Sequence, residues 1–424
     1  MIKDYSYHKL SNGLQLVIIP KRQTNSVTAI VLVKTGSRYE TAKISGVSHF
    51  LEHMFFKGTK RRPSAERVSV EIDSIGGDFN AYTDRESTGY HIKAESSHLP
   101  LLIDLLADIT HNSLFDAREI EREKNVVIEE LNMTEDDPRR KISDFFEELL
   151  YSNHPLGRDV GGEKEVIKTL TRNQIVSYYQ KHYHPKNQLI AISGNCSQKE
   201  AISLVEKNFT NKIQSRTDSF LPVNDKQEKP KLKIVYKETD QAHLCVGVRA
   251  FPMLSAKRFP MAVLDTILSG GMSSRLFISV RERRGLAYYV FSANPRYSDC
   301  GNFFAQTGAD LARIDEAVRV ILSEFANLAA KKVTDAELTK AKNYIKGKIA
   351  LAHEDSRALA FSYGLSQLLE GKVLTDAEIN KKIERVTAEQ IQQAAKEIFK
   401  TQKLNLAIIG PFKDENRFAK ILRF

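Results

Sequence analysis

Thr171-Arg-Asn-Gln-Ile-Val-Ser-Tyr-Tyr-Gln-Lys-His-Tyr-His-Pro-Lys-Asn-Gln-Leu-Ile-Ala-Ile-Ser-Gly194 returns 216 positions later as Thr387-Ala-Glu-Gln-Ile-Gln-Gln-Ala-Ala-Lys-Glu-Ile-Phe-Lys-Thr-Gln-Lys-Leu-Asn-Leu-Ala-Ile-Ile-Gly410. Thr, Gln and Ile at 171, 174 and 175 recur at 387, 390 and 391, and Ala191, Ile192 and Gly194 recur as Ala407, Ile408 and Gly410. Each copy reads as a Thr-capped amphipathic helix, a short connection and a buried strand closing on glycine. A second match lies at nearly the same distance. Asp116-Ala-Arg-Glu-Ile…Lys124-Asn125 parallels Asp335-Ala-Glu-Leu…Lys342-Asn343, with Lys-Asn displaced by 218. Two matches in one order argue for a tandem duplication.

The length agrees. At 424 residues the chain exceeds what one core holds, since single cores stop growing near ~250–300 residues. Residues 211–231 are polar, carry two prolines and lack apolar periodicity, which marks a joint. The expected domains are therefore 1–215 and 216–424. In each, strand-like runs (13–19 and 27–35; 233–236 and 242–248) precede long helical patterns (99–112 and 117–133; 314–330 and 335–353). That segregation defines the α+β class.

Composition excludes several alternatives. With 42% hydrophobic and 27% charged residues the chain is an ordinary globular protein. No apolar run approaches the ~18 residues of a membrane span. Met1–His8 lacks the features of a signal peptide or presequence, so the expected location is cytoplasmic and no membrane partner is expected. Cys196, Cys245 and Cys300 are far apart and odd in number, which fits buried thiols in a reducing compartment. The net charge of +10 is spread over lysines interleaved with acids, with no basic stripe alternating with aromatics, so nucleic acid is not an expected partner.

The chemistry concentrates in His49-Phe-Leu-Glu-His53, within an apolar stretch of helical length, residues 44–56. At about 100° per residue, positions 49, 52 and 53 share one sector of a helix. Two imidazoles one turn apart grip a metal ion, and Glu52 beside them is placed to act on water. His-x-x-Glu-His is the inverted zincin motif and suits Zn²⁺. A chain of this composition produces it by chance roughly 0.02 times. The third ligand is sought on the helix Glu123-Lys-Asn-Val-Val-Ile-Glu-Glu130-Leu-Asn-Met, with Val126, Val127, Leu131 and Met133 as its apolar positions. Glu123 and Glu130, seven apart, nearly eclipse on the side of Val127, and a buried carboxylate needs a partner. Glu130 would complete two His and one carboxylate and Glu123 would orient a ligand His, the alternative being that both are ordinary solvent-facing helix charges. Glu129 is the rival, pointing about 120° from Glu123. In the second copy, His49, Glu52 and His53 fall on Thr266, Ser269 and Gly270, and Glu123 and Glu130 on Ala341 and Lys348. One zinc ion per chain, in the first domain, is expected.

With these motifs, the chain resembles the insulinase/pitrilysin family of zinc metallopeptidases, in the short branch that includes mitochondrial and bacterial processing-type peptidases. Gly76-Gly77-Asp-Phe-Asn80-Ala81-Tyr82-Thr83, His154-Pro155-Leu156-Gly157, Gly271-Met-Ser-Ser-Arg275-Leu-Phe and Arg281-Glu-Arg-Arg-Gly-Leu-Ala-Tyr288 extend the likeness over the whole chain. The resemblance implies two homologous α+β domains, each a mixed sheet flanked by helices, and zinc held by His49, His53 and Glu130 with Glu52 as the base. It also implies a chamber formed by a dimer, with peptides or unfolded polypeptides as substrates. Asn80 and Ala81 match an edge strand to which substrate adds. Arg281 and Tyr288 match a substrate-binding pair, implied to serve the partner's site. Read on their own, Asn80 is a turn residue, Arg281 a solvated charge and Tyr288 a core residue. The metal motif and a Gly270-Gly271 loop share this chain, which favours a homodimer over a heterodimer with an inactive sister.

Rival functions separate cleanly. Leu268-Ser-Gly-Gly271 is similar to a transporter-ATPase signature, but no phosphate loop exists, and Gly157-Arg-Asp-Val-Gly-Gly162-Glu163-Lys164 has Glu where Lys is required. A catalytically silent assembly subunit or a strand-capturing peptide-binding module of the same fold is the remaining alternative. The acids Glu119, Glu121, Glu123, Glu129, Glu130, Glu135, Asp136 and Asp137 raise a preference for cationic peptides, against ordinary helix surface plus metal shell.

Overall fold

A computed structural model of the chain describes residues 5–211, 219–224 and 226–424. Met1–Asp4 lie outside them, as do residues 212–218 and 225 of the polar joint read at 211–231. Eleven strands are present among the described residues: β1 Ser6–Lys9, β2 Gln15–Pro20, β3 Ser26–Val33, β4 Asp78–Thr83, β5 Thr88–Glu95, β6 Gln188–Gly194, β7 Lys231–Tyr236, β8 Gln241–Ala250, β9 Ala287–Ala293, β10 Gly301–Asp310 and β11 Leu404–Gly410. They form a six-stranded sheet in the order β1-β2-β6-β3-β5-β4 and a five-stranded sheet in the order β7-β11-β8-β10-β9. Without β1, the two orders are one order written twice.

The pairing repeats as well. β2 with β6 and β7 with β11 are parallel, and every other neighbour is antiparallel. Both sheets are mixed and both bear helices, so the α+β duplication stands. Its sequence signature has a physical basis. Thr171 and Thr387 each close a capping box, taking the N–H of the Gln three residues on while that Gln side chain returns to the Thr backbone. The following strands, β6 and β11, are buried at every position. Strands covered on both faces lose the polar alternation of a half-exposed strand and read as continuous apolar runs.

Two compact units result. One takes in residues up to Asn132, Arg158–Leu221 and Leu351–Thr375, and the other takes in Met133–Gly157, Pro222–Ala350 and Asp376–Phe424. The strands respect the boundary expected at 215/216, but two helical segments cross it. The first unit's sheet carries α1 (Val47–Met54) and α2 (Leu99–His111) on one face. Leu359, Ala360 and Tyr363 of the segment 351–375 cover Val17, Ile30, Leu32 and Ala191 on the other. In the second unit, Ile142, Phe146 and Leu150 lie against Cys245, Phe304 and Ile409. A sheet apolar on both faces needs two covers, and each unit draws one of them from the other half of the sequence.

Cys196, Cys245 and Cys300 are buried free thiols. Among the described residues no helix is long and apolar enough to cross a membrane.

Candidate metal centre

α1 is short for its pattern. The apolar stretch 44–56 suggested a longer helix, but residues 42–44 form a 3-10 turn and Gly46 adopts φ +91°, so the α-helix runs Val47–Met54. Gly46 is required there: a Cβ would stand 2.5 Å from the Gly161 carbonyl oxygen and 2.9 Å from the Gly162 Cα. With glycine at its N-cap, α1 has no side-chain cap of its own. The carboxylate of Glu40 takes that role, accepting the N–H groups of Gly46 (2.6 Å) and Ser48 (2.8 Å) while itself buried.

Phe50, Leu51 and Met54 anchor the helix in the core, which leaves His49, Glu52 and His53 on its open side. The helix α3 (Ala117–Asp136) brings in Glu123 and Glu130. Val127 and Leu131 bury as expected, whereas Val126 and Met133 are exposed. Glu123 is 2% exposed and Glu130 51%, so only the first of the two eclipsed acids is buried. Glu129 points elsewhere, to Asn132.

The Nε2 atoms of His49 and His53 are 3.3 Å apart, and one Glu130 carboxylate oxygen lies 3.6 Å and 3.4 Å from them. Three ligands at a zinc–ligand distance of ~2.0–2.1 Å in tetrahedral array are roughly 3.4 Å apart, so this triangle fits a zinc ion with one position open. Among the described residues these three form one group able to hold a metal. Behind it, Nδ1 of His53 lies 2.8 Å from Glu123, whose second oxygen holds Lys57 Nζ at 2.6 Å. Burial alone would lower the His53 pKa, but its bonds to Glu123 and Glu130 prevail and lift it to about 9 in the metal-free site. For His49, burial and the His53 charge act in one direction, downward.

Glu52 stays out of this triangle. Thr83 of β4 donates to it at 2.6 Å, and burial raises its pKa from the ordinary value against the pull of that bond. β4 is the edge strand of its sheet, so Asn80 and Ala81 stand where another strand can pair; the Ala81 N–H is at present taken by the Asn80 side chain (2.8 Å). A cleft of about 240 Å³ beside Glu52 is walled by Phe56, Phe79, Asn80, Ala81 and Lys57. Thr83, Lys57 and Glu40 were missed in the sequence. Lys57 alone left a trace there, one helical turn beyond His53.

In the second unit, Arg281 lies in a π-helical turn, Phe277–Glu282, with its guanidinium 4.8 Å above Phe277 and 4.9 Å above Tyr288. Tyr288 is 77% exposed on β9, which contradicts its default reading as core.

Two family models match the chain in succession. Residues 16–164 match the family described as insulinase (peptidase family M16), and residues 169–345 the one described as peptidase M16 inactive domain. The chain is 35% identical over 412 residues to the uncharacterized zinc protease YmxG of Bacillus subtilis, covering 97% of this chain and 98% of that one. An uncharacterized zinc protease of Streptomyces coelicolor is 32% identical over 412 residues, with 96% and 89% covered. A protease from Helicobacter pylori shares the fold with TM-score 0.88 at 24% identity, covering 96% of this chain and 99% of that one. A peptidase M16 inactive domain from Pseudomonas fluorescens shares it with TM-score 0.89 at 17% identity, covering 96% and 98%.

Proposed function

The chain belongs to the insulinase family of peptidases, peptidase family M16, and on that premise we propose that it is a zinc metalloendopeptidase whose chemistry resides in residues 1–215. The observation that carries this reading is the triangle of His49, His53 and Glu130 with Glu52 beside it and outside the ligand set. When bound there, a zinc ion supplies Lewis acidity, lowering the pKa of water and polarising a carbonyl. His49, His53 and Glu130 hold it, and Glu123 fixes the His53 ring through Nδ1. Glu52 takes a proton from the attacking water and passes it to the leaving amine nitrogen, with Thr83 fixing the carboxylate during the exchange.

Substrate enters as an added strand on β4 at Asn80 and Ala81, for which the unpaired edge is the support. Arg281 and Tyr288 bind substrate in the non-catalytic half, residues 216–424; their mutual stacking and the exposure of Tyr288 support that role. The working form is a homodimeric chamber acting on peptides or unfolded segments. A special taste for cationic peptides has weak support, because Glu119 and Glu121 are paired with Arg122 and Lys124 along their own helix.

Metal analysis combined with cleavage-site mapping on a peptide library tests the proposal. Wild type is expected to hold one zinc per chain and to cut, and Glu52→Gln to hold zinc and lose roughly 10²–10⁴-fold in turnover. Substantial turnover by Glu52→Gln rejects Glu52 as the base, and wild type that binds zinc without cutting points to a strand-capturing module.

A further inference from the structure

The first unit contains a second cavity, larger than the cleft beside Glu52, at about 380 Å³. It lies within the size range of small-molecule sites. Two lysines line it. Lys34 follows directly on β3, and its backbone N–H and C=O are both bonded to Asn187, at 2.9 and 3.1 Å. Asn187 in turn ends the turn Pro185–Asn187 that carries Lys186. The stem of Lys186 packs on Gly13, where a Cβ would meet its Cγ at 2.7 Å. Both lysines are thus fixed at their bases on adjoining main chain. Among the described residues, neither ammonium group has a hydrogen-bond or ion-pair partner.

The rest of the lining follows the same logic. Tyr39 and Phe220 meet edge to face with ring centroids 6.1 Å apart, and with Leu368 they form an apolar side. Gln15, Asn187 and Ser219 are neutral, and among the described residues no carboxylate lines the cavity. Glu86, whose charge reaches the Tyr39 hydroxyl, is buried and consumed by Arg38 at 2.6 Å. Phe220 lies flat on that same Arg38, 3.8 Å from its guanidinium, and Arg38 also donates to the Leu221 carbonyl at 3.0 Å. The acid that would otherwise neutralise the cavity is spent on holding its aromatic wall.

Two fixed, unpaired cations beside an aromatic and aliphatic wall are complementary to a negatively charged head on a flat apolar body. We propose that this cavity binds a small organic acid, with a phosphate or carboxylate group between Lys34 and Lys186 and an apolar portion against Phe220, Tyr39 and Leu368. The site is separate from the residues proposed for zinc and substrate, and it does not depend on peptidase activity.

Isothermal titration of the full chain with phenyl phosphate, phenylacetate and inorganic phosphate tests this, at constant ionic strength set with sodium chloride. Phenyl phosphate or phenylacetate is expected to bind, whichever is tighter identifying the head group, and more tightly than inorganic phosphate. In the double variant Lys34→Gln/Lys186→Gln that binding is expected to weaken by about tenfold or more, with zinc content and the far-UV spectrum unchanged. Should the double variant misfold, Leu368→Trp, which fills the apolar side and keeps both lysines, is expected to weaken the organic acids and spare inorganic phosphate. Failure of both organic acids to bind wild type overturns the proposal, as does binding that the folded double variant retains at full strength.

Discussion

Glu123 joins His53 to Lys57: one carboxylate oxygen lies 2.8 Å from His53 Nδ1, the other 2.6 Å from Lys57 Nζ, and the carboxylate is itself buried. Burial would raise the Glu123 pKa, but the bonds to His53 and Lys57 outweigh it and hold the group below its ordinary value. The charge is therefore retained, and it fixes both the tautomer and the plane of the imidazole that faces His49 and Glu130. Glu123→Gln keeps the shape and removes the charge. Zinc affinity, measured by chelator competition, is expected to fall roughly 10- to 100-fold, the usual cost of losing such a support. Unaltered affinity would mean that packing alone orients His53.

Thr83 reaches Glu52 from the edge strand, and the two are joined at 2.6 Å. Thr83→Val preserves the β-branched shape and deletes the donor. Without it, the Glu52 carboxylate keeps its burial and loses a bond that favours ionisation, so its pKa moves further up. The acid limb of kcat against pH should then shift to higher pH, and kcat should drop by about tenfold at neutral pH with zinc content intact. An unshifted limb would dissociate Thr83 from the base.

In the metal-free protein His53 holds a proton up to about pH 9. Zinc binding must expel it, because an imidazolium has no lone pair on the ligating nitrogen. Apparent zinc affinity is expected to rise with pH through the neutral range and to level off near pH 9, with proton release detectable calorimetrically in buffers of different ionisation enthalpy. An affinity independent of pH between 6.5 and 8.5 would contradict the protonated resting state.

The features legible in the sequence are those that depend on neighbours along the chain. The helix expected at 314–330 is found at Ile314–Ala330, the strand at 404–410 is β11, and the duplication showed through two capping boxes because a cap is a local device. His49, His53, Glu123 and Glu130 were readable because helical spacing alone puts them on common faces. What escaped depends on tertiary contact. The exchange of 133–157 and 351–375 between units leaves no periodic trace, and the exposure of Tyr288 or of Val126 cannot be told from residue type. Glu40 escaped for the same reason, since six residues of irregular chain separate it from the helix it caps.

That cap yields a prediction with a definite sign. Burial pushes the Glu40 pKa up to about 7 from an ordinary 4.5, against the pull of the Ser48 and Gly46 N–H groups. The folded protein thus keeps this proton to higher pH than the unfolded chain does. The group's contribution to stability is complete below about pH 4.5 and is lost as pH rises through 7, where folding must bury a charge. At 1.36 kcal/mol per pKa unit the loss is at most roughly 3 kcal/mol. Glu40→Gln cannot ionise, and every other group titrates alike in both proteins, so the stability of wild type minus that of the variant isolates this one equilibrium. Urea unfolding at a series of pH values is expected to show that difference declining between pH 4.5 and 7 and flat above it. A difference that is constant, or that grows with pH, would show that Glu40 enters the fold already ionised and that the two N–H bonds offset its burial.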